Sequence, residues 1–227
     1  MSIQDTFIPT LSKPKVKILL GVPCRDMMYS HFAYCLQEIV EYHARRGIDT
    51  QVEFNMGTLI GNQREKIADK ALEIGATHIL WLDSDMMFPK TIGETLLSHN
   101  LDFIACNYST RTLPRKCVAY SELGNWNSFI STDETGIISV EGVGLGCALV
   151  KTSVLYDVQK PWFPITYDAE INDYLGEDFN FCRKLIEFGY IIAVDCDASR
   201  EIYHIGTSVF EWKPTEVAEV VDKSTTV

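Results

Sequence analysis

The feature that most constrains this chain is an alternation. In its first half, short apolar runs are separated by segments whose apolar residues fall at helical spacing. Lys15–Pro23 is a compact apolar run that reads as a buried strand. In Ser30–Arg46, Phe32, Leu36, Ile39, Val40 and Ala44 repeat at helical spacing, and Gly47 is the stop. Thr50–Asn55 alternates as a second strand. Ile60–Ile74 reads as a helix with Ile67, Ala71 and Ile74 inward, ended by Gly75. His78–Leu82 is a third strand, Pro89–His99 a short helix with Pro89 near its first turn, and Leu101–Tyr108 a fourth strand. A β-α-β-α-β-α-β order dictates an α/β domain with a mostly parallel sheet. Such sheets bind ligands beyond the carboxyl ends of their strands. Three segments meet that edge: Pro23–Asp26, Asp83 with Asp85, and Asn107–Arg111.

The second half is less regular. Val118–Ser121, Ser128–Ser131, Ile137–Val143 and Cys147–Lys151 read as short strands, and Asp133–Gly136 as a turn. Gln159–Tyr174, with two prolines, reads as a loop. Glu177–Phe188 is a helix with Phe181, Leu185 and Phe188 inward and Gly189 as stop. Tyr190–Val194 and Glu201–Ile205 complete the strands. With 227 residues, 46% of them hydrophobic, the chain suits one large domain. No apolar stretch is long enough to span a membrane, and the N-terminal segment lacks a signal peptide's apolar core. Seven cysteines without a CxxC pair point away from a disulfide framework and towards a reducing, cytoplasmic setting. A net charge of −11 argues against broad binding to polyanions, though not against a local basic groove.

Where the third strand ends, THILWLDSDMMFP places Asp83 and Asp85 one residue apart, with Ser84 between them. Alternate residues of an extended chain share a face. Two carboxylates there repel and lose solvation unless a cation joins them, and a divalent ion carrying a diphosphate suits such hard oxygen ligands. A solvated turn is the plainer explanation for an isolated DxD. A haloacid-dehalogenase-type phosphatase would carry its DxD after the first strand, followed by Thr or Val, and a phosphate-binding GxxxxGK[ST] loop is absent. In LGEDFNFCRKL, Glu177 and Asp178 open a helix, as caps do. They point in directions differing by ~100°, so one can serve as a base while the other binds substrate or backbone. His204 closes a strand-like run and is a candidate metal ligand beside an aspartate. Glu141–Gly146 (EGVGLG) allows close backbone approach but lacks dinucleotide spacing. Arg64 lies early on the second helix, either solvated or reaching the mouth of the sheet. Arg111, Arg115 and Lys116 cluster after the fourth strand, where they can meet phosphates or solvent.

Taken in order, KILLGVPCRD, NQREKIADKAL, THILWLDSDMMFP, EGVGLGCALVK, KPWF, GEDFNFCRKLIEFGY and YHIG resemble the GT-A glycosyltransferases, in particular the family 2-like group and its small bacteriophage-encoded members. The resemblance runs from about Lys15 to Gly206. It implies a GT-A (Rossmann-like) α/β single domain with a mostly parallel central sheet and a smaller acceptor-side β region. Residues 1–14 form a lead-in, 15–213 the transferase domain and 214–227 a tail. The nucleotide-sugar half spans about 15–110 and the acceptor and catalytic half about 111–213. Pro23, Cys24, Arg25 and Arg64 would seat the nucleotide. Asp83 would approach ribose and metal. Asp85 would ligate Mn²⁺ or Mg²⁺, with His204 completing its shell. Gly144, Leu145 and Gly146 would border donor sugar and acceptor. Trp162 and Phe163 would offer faces to the acceptor, with Arg111 and Lys116 near it. Asp178 would be the base, with Glu177 the second choice.

The reaction so implied is metal-dependent, inverting transfer from a nucleotide sugar, UDP-linked by preference. The acceptor would be a glycan or a hydroxymethylated base in phage DNA. A nucleotidyltransferase remains an alternative, although GVPCRDMMYS is a poor match to a glycine-rich basic loop. A non-catalytic nucleotide-sugar binder is another.

Overall fold

The computed structural model describes residues 15–111 and 115–206. The lead-in (1–14), Thr207 and the tail lie outside the described residues. The first half follows the expected alternation: β1 (Lys17–Cys24), α1 (Ser30–Arg46), β2 (Asp49–Met56), α2 (Ile60–Glu73), β3 (His78–Leu82), β4 (Met86–Met87), α3 (Ile92–Ser98) and β5 (Phe103–Ala105). Gly47 takes the left-handed conformation that ends α1 (φ 69°). Helix α3 is shorter than the sequence implies, because Pro89–Thr91 form a turn before it.

The second half contains β6 (Ala119–Tyr120), β7 (Ile137–Val140), β8 (Gly142–Val143), β9 (Cys147–Lys151), α4 (Val154–Asp157), β10 (Thr166–Asp168), β11 (Asp173–Leu175), α5 (Glu177–Glu187), β12 (Ile192–Asp195), α6 (Cys196–Ser199) and β13 (Tyr203–His204). Two expectations are corrected. The 159–174 segment is not all loop, since β10 and β11 pair as an antiparallel hairpin. Phe188 is 53% exposed, beyond the last inward turn of α5.

The central sheet has the order β2-β1-β3-β9-β5-β12-β7. Five strands run one way, and only β9 and β7 oppose them. This is a single α/β domain with a mostly parallel central sheet and small separate sheets. Strand β9 slots between β3 and β5, so the third and fourth strands of the sequence are not neighbours. Alternation along the strands splits the core in two. Ile18, Leu20, Leu80 and Leu82 pack with Phe32, Leu36 and Ile39 of α1. Leu19, Ile79 and Trp81 pack with Ile67 and Ala71 of α2 and with Phe181 and Leu185 of α5.

Candidate active site

At the carboxyl ends of β1 and β3 lies a cavity of about 290 Å³. Pro23, Cys24, Arg25, Gln63, Asp83, Ser84, Asp85, Arg111 and His204 are among its lining residues. Its polar groups come from five separated segments, and Arg64 lies buried beneath them rather than in the lining.

Arg64 arrives because of helical spacing. It lies three and four residues before Ile67 and Ala68, on the face of α2 that packs against the sheet, and it is 1% exposed. Its guanidinium bonds Asp83 Oδ1 at 2.9 Å and Glu177 Oε1 at 3.3 Å, and lies 5.3 Å from the centroid of Trp81. Its Nη1 has no partner. Burial opposes the Arg64 charge, but Asp83 and Glu177 outweigh it and push its pKa upward. Burial pushes Asp83 up, Arg64 pulls it down, and Asp85 and Glu177 push it up again. The net direction is upward.

His204 arrives through a two-residue pairing. Strand β13 runs antiparallel to β4, with His204 opposite Met86, and the Ile205 N–H donates to the Asp85 carbonyl at 2.7 Å. This sets His204 Nε2 3.5 Å from Asp85 Oδ2, while Arg111 Nη1 sits 2.6 Å from the same oxygen. Burial works against ionisation of Asp85, but the hydrogen bond and charge of His204 and the charge of Arg111 hold its carboxyl below the usual range.

The donor set fits a divalent ion. Nδ1 of His204 donates to the Ser109 carbonyl at 2.9 Å, and Nε2 is the nitrogen turned towards Asp85. Burial works against the His204 charge, but the bonds to Asp85 and Ser109 raise its pKa, so a metal would replace the proton on Nε2. A carboxylate and an imidazole with substrate phosphates suit Mn²⁺ or Mg²⁺. Among the described residues there is no cluster of three His, Cys, Asp or Glu side chains placed for a metal. A metal held here would need further oxygen ligands from substrate, since the Arg64 bond ties Asp83 elsewhere.

Asp178 opens α5 beside Glu177. Its Oδ1 accepts from the Phe179 N–H at 2.8 Å. Burial first, and then the Glu177 charge, push its carboxyl up to about 7, the range a general base needs. Glu177 is committed to Arg64, so of the pair Asp178 is the carboxylate free of an ion pair. The rings of Tyr120, Trp126 and Phe179 meet at centroid distances of 5.1–5.6 Å next to it.

The structure corrects several sequence assignments. Trp162 and Phe163 are 4% and 2% exposed and belong to the core. Trp162 Nε1 donates to the Val158 carbonyl at 2.7 Å, and Phe163 packs on Trp81 and Phe181. Leu145 is buried as well, and Gly144 and Gly146 face Tyr108 rather than open space. Arg111 belongs with Asp85 in the cavity. Lys116 is exposed, its backbone paired with Thr110, and it does not line that cavity. Tyr108 and the aromatic trio were not singled out by sequence. Tyr108 had a signal, since it lies in the 107–111 segment at the ligand-binding edge of the sheet. A larger cavity, about 650 Å³, separates the β10–β11 hairpin from α5, but it contains none of Asp83, Asp85, Asp178 or His204.

No protein-family model matches the sequence, and no curated protein matches it. Among solved structures, A197 from STIV superposes with a TM-score of 0.53 at 17% identity, over 88% of this chain and 99% of that one. That likeness shows a shared fold. A glycosyltransferase involved in the glycosylation of the major capsid of PBCV-1 aligns with a TM-score of 0.42 at 14% identity, over 85% of this chain and 96% of that one.

Proposed function

We propose that the protein is a glycosyltransferase that moves a sugar from a nucleotide-sugar donor, UDP-linked by preference, to an acceptor hydroxyl. One observation carries this reading. Asp83, Asp85, Arg64, Arg111 and His204 converge on the carboxyl edge of the sheet, and the Arg64 ion pairs join that edge to the Glu177–Asp178 helix start.

The roles follow from the geometry. Pro23, Cys24, Arg25 and Ser84 form walls of the cavity and would flank the nucleotide. Arg64 fixes Asp83 and Glu177 and so sets the spacing between the donor pocket and the base. Asp85 and His204 would hold Mn²⁺ or Mg²⁺, which would supply positive charge against the leaving diphosphate. Asp178 would take the acceptor proton as the sugar carbon gains oxocarbenium character, giving inversion. The acceptor would approach past Tyr120, Trp126 and Phe179, whose rings suit a sugar face or a modified base.

The test is thermal unfolding against UDP-, GDP- and CMP-sugars with and without Mn²⁺, because a ligand bound only by the folded state raises apparent stability. A shift with one donor, lost in Asp85→Ala while the unliganded midpoint holds, is expected. The absence of a shift with every donor refutes the reading.

A further inference from the structure

The glycine-rich stretch after β7 has an occupant. A Cβ at Gly144 would lie 2.5 Å from the Tyr108 hydroxyl oxygen, and one at Gly146 would lie 2.6 Å from it. No real Cβ tolerates such distances, so two residues without side chains form a socket for one phenol. Within it the Gly146 N–H donates to the phenol oxygen at 3.1 Å. The far edge of the ring is fixed too, because Tyr108 meets His204 edge-to-face at 5.3 Å and 88°.

The Gly146 bond uses an oxygen lone pair and leaves the phenol's own hydrogen unused. Among the described residues nothing accepts it. A hydroxyl held this firmly, with its hydrogen unspent, is a pre-positioned donor. Its surroundings say where the acceptor lies. The Gly146 carbonyl accepts from the Asp83 N–H at 3.0 Å, and the ring lies against His204, which sits 3.5 Å from Asp85. Tyr108 thus sits beside the segment that carries Asp83 and, through its ring, beside His204, which lines the cavity with Asp85.

Resting on the glycosyltransferase reading, we infer that the Tyr108 hydroxyl donates to an oxygen of the transferred sugar and is a specificity-determining contact for that sugar, separate from the groups that hold the nucleotide. The chemistry required of the ligand is a hydroxyl or ring oxygen between the diphosphate and the acceptor. This gives the glycine-rich stretch a role as the socket of a sugar contact.

Calorimetric titration in Mn²⁺ tests the inference, with UDP, UDP-glucose, UDP-galactose, UDP-N-acetylglucosamine, GDP and GDP-mannose as probes. Tyr108→Phe keeps the ring and its contact with His204. It should bind the free nucleoside diphosphate within about twofold of wild type. It should lose about tenfold in affinity for the matching nucleotide sugar, the scale of one hydrogen bond. Gly144→Ala, which crowds the same oxygen, should reproduce the sugar-selective loss with Tyr108 intact. Equal losses for nucleotide and nucleotide sugar would mean a merely structural role and overturn the inference, as would unchanged sugar affinity in both variants. If the wild type binds no nucleotide and no nucleotide sugar, the glycosyltransferase reading fails first and takes this one with it.

Discussion

Arg64→Met is the most informative single change. It removes a guanidinium that is 1% exposed and leaves Asp83 and Glu177 in place. Deleting one partner of a buried ion pair typically costs ~3–5 kcal/mol, because a charge is stranded. Two features place this site at the lower end. The side chains of Asp83 and Glu177 are 23% and 11% exposed, so water relieves part of the stranded charge. The methionine also keeps most of the contact with the Trp81 face. A cost of about 3 kcal/mol is therefore expected, and at ~2–4 °C per kcal/mol for a chain of this size the midpoint should fall by roughly 6–12 °C. Glu177→Gln alone should cost less, because Arg64 keeps Asp83. The double variant should be more stable than the sum of the two losses by ~1–2 kcal/mol, since the stranded Glu177 charge is gone. Thermal unfolding of the four proteins at pH 7.5 measures the cycle. A fall of less than about 2 °C for Arg64→Met, or strict additivity, would refute the placement of Arg64 as the buried link between the two carboxylates.

The remaining predictions concern the base, a helix contact and the metal. Activity should rise with pH through about 7, where Asp178 ionises, and Asp178→Asn should keep donor binding while losing transfer; full transfer in that variant rules Asp178 out. The folded pKa of Asp178 lies above its unfolded value of roughly 4, so the folded state holds the extra proton and wild-type stability should fall as pH rises from about 4 to 7. Asp178→Asn lacks this loss, so its midpoint relative to wild type should climb across that window; a flat difference contradicts the shift. A Cβ at Gly61 would fall on the backbone carbonyl of Phe163, which cannot rotate aside, so Gly61→Ala should cost ~1–3 kcal/mol in denaturant unfolding. A neutral effect would mean that α2 and the 161–163 segment are not so closely packed.

The fold was legible where local pattern and packing agree. The sequence marks α1 and β3 at their observed limits, because helical spacing, a glycine stop and an unbroken apolar run each leave one solution. For Arg64 the sequence leaves solvent and the mouth of the sheet both open, and only the packing of α2 shows it buried between Asp83 and Glu177. The failures share a cause. Trp162 and Phe163 look like an exposed platform between prolines, but only the three-dimensional path brings them under Trp81 and Phe181. The strand pairs β4–β13 and β6–β8 are two residues long, too short for any periodicity. The first of these places His204 beside Asp85, so His204 could be suspected from sequence while its geometry could not. EGVGLG shows that backbone must come close to something, and only the structure shows that the something is Tyr108.

Charge balance in the cleft leads to the metal by a route independent of motif. Four carboxylates gather there, Asp83, Asp85, Glu177 and Asp178, against the three guanidiniums of Arg25, Arg64 and Arg111. With Asp178 protonated these charges balance, and with it ionised the surplus is one negative charge. A nucleoside diphosphate brings at least two more negative charges. At an effective dielectric of ~20, each like-charged pair about 4 Å apart costs ~4 kcal/mol, more than one or two hydrogen bonds restore. His204 adds a positive charge only when protonated, and Nε2 then no longer offers a lone pair. A divalent cation on Asp85 and on His204 without its Nε2 proton would reverse the local sign where the proposed diphosphate would lie. UDP should therefore bind at least tenfold more tightly with Mn²⁺ than with EDTA, and added salt should not weaken the metal-free binding, because screening relieves repulsion. Equal affinity in EDTA would mean that the cleft accepts the diphosphate through Arg25 and Arg111 alone, and that Asp85 and His204 serve another purpose.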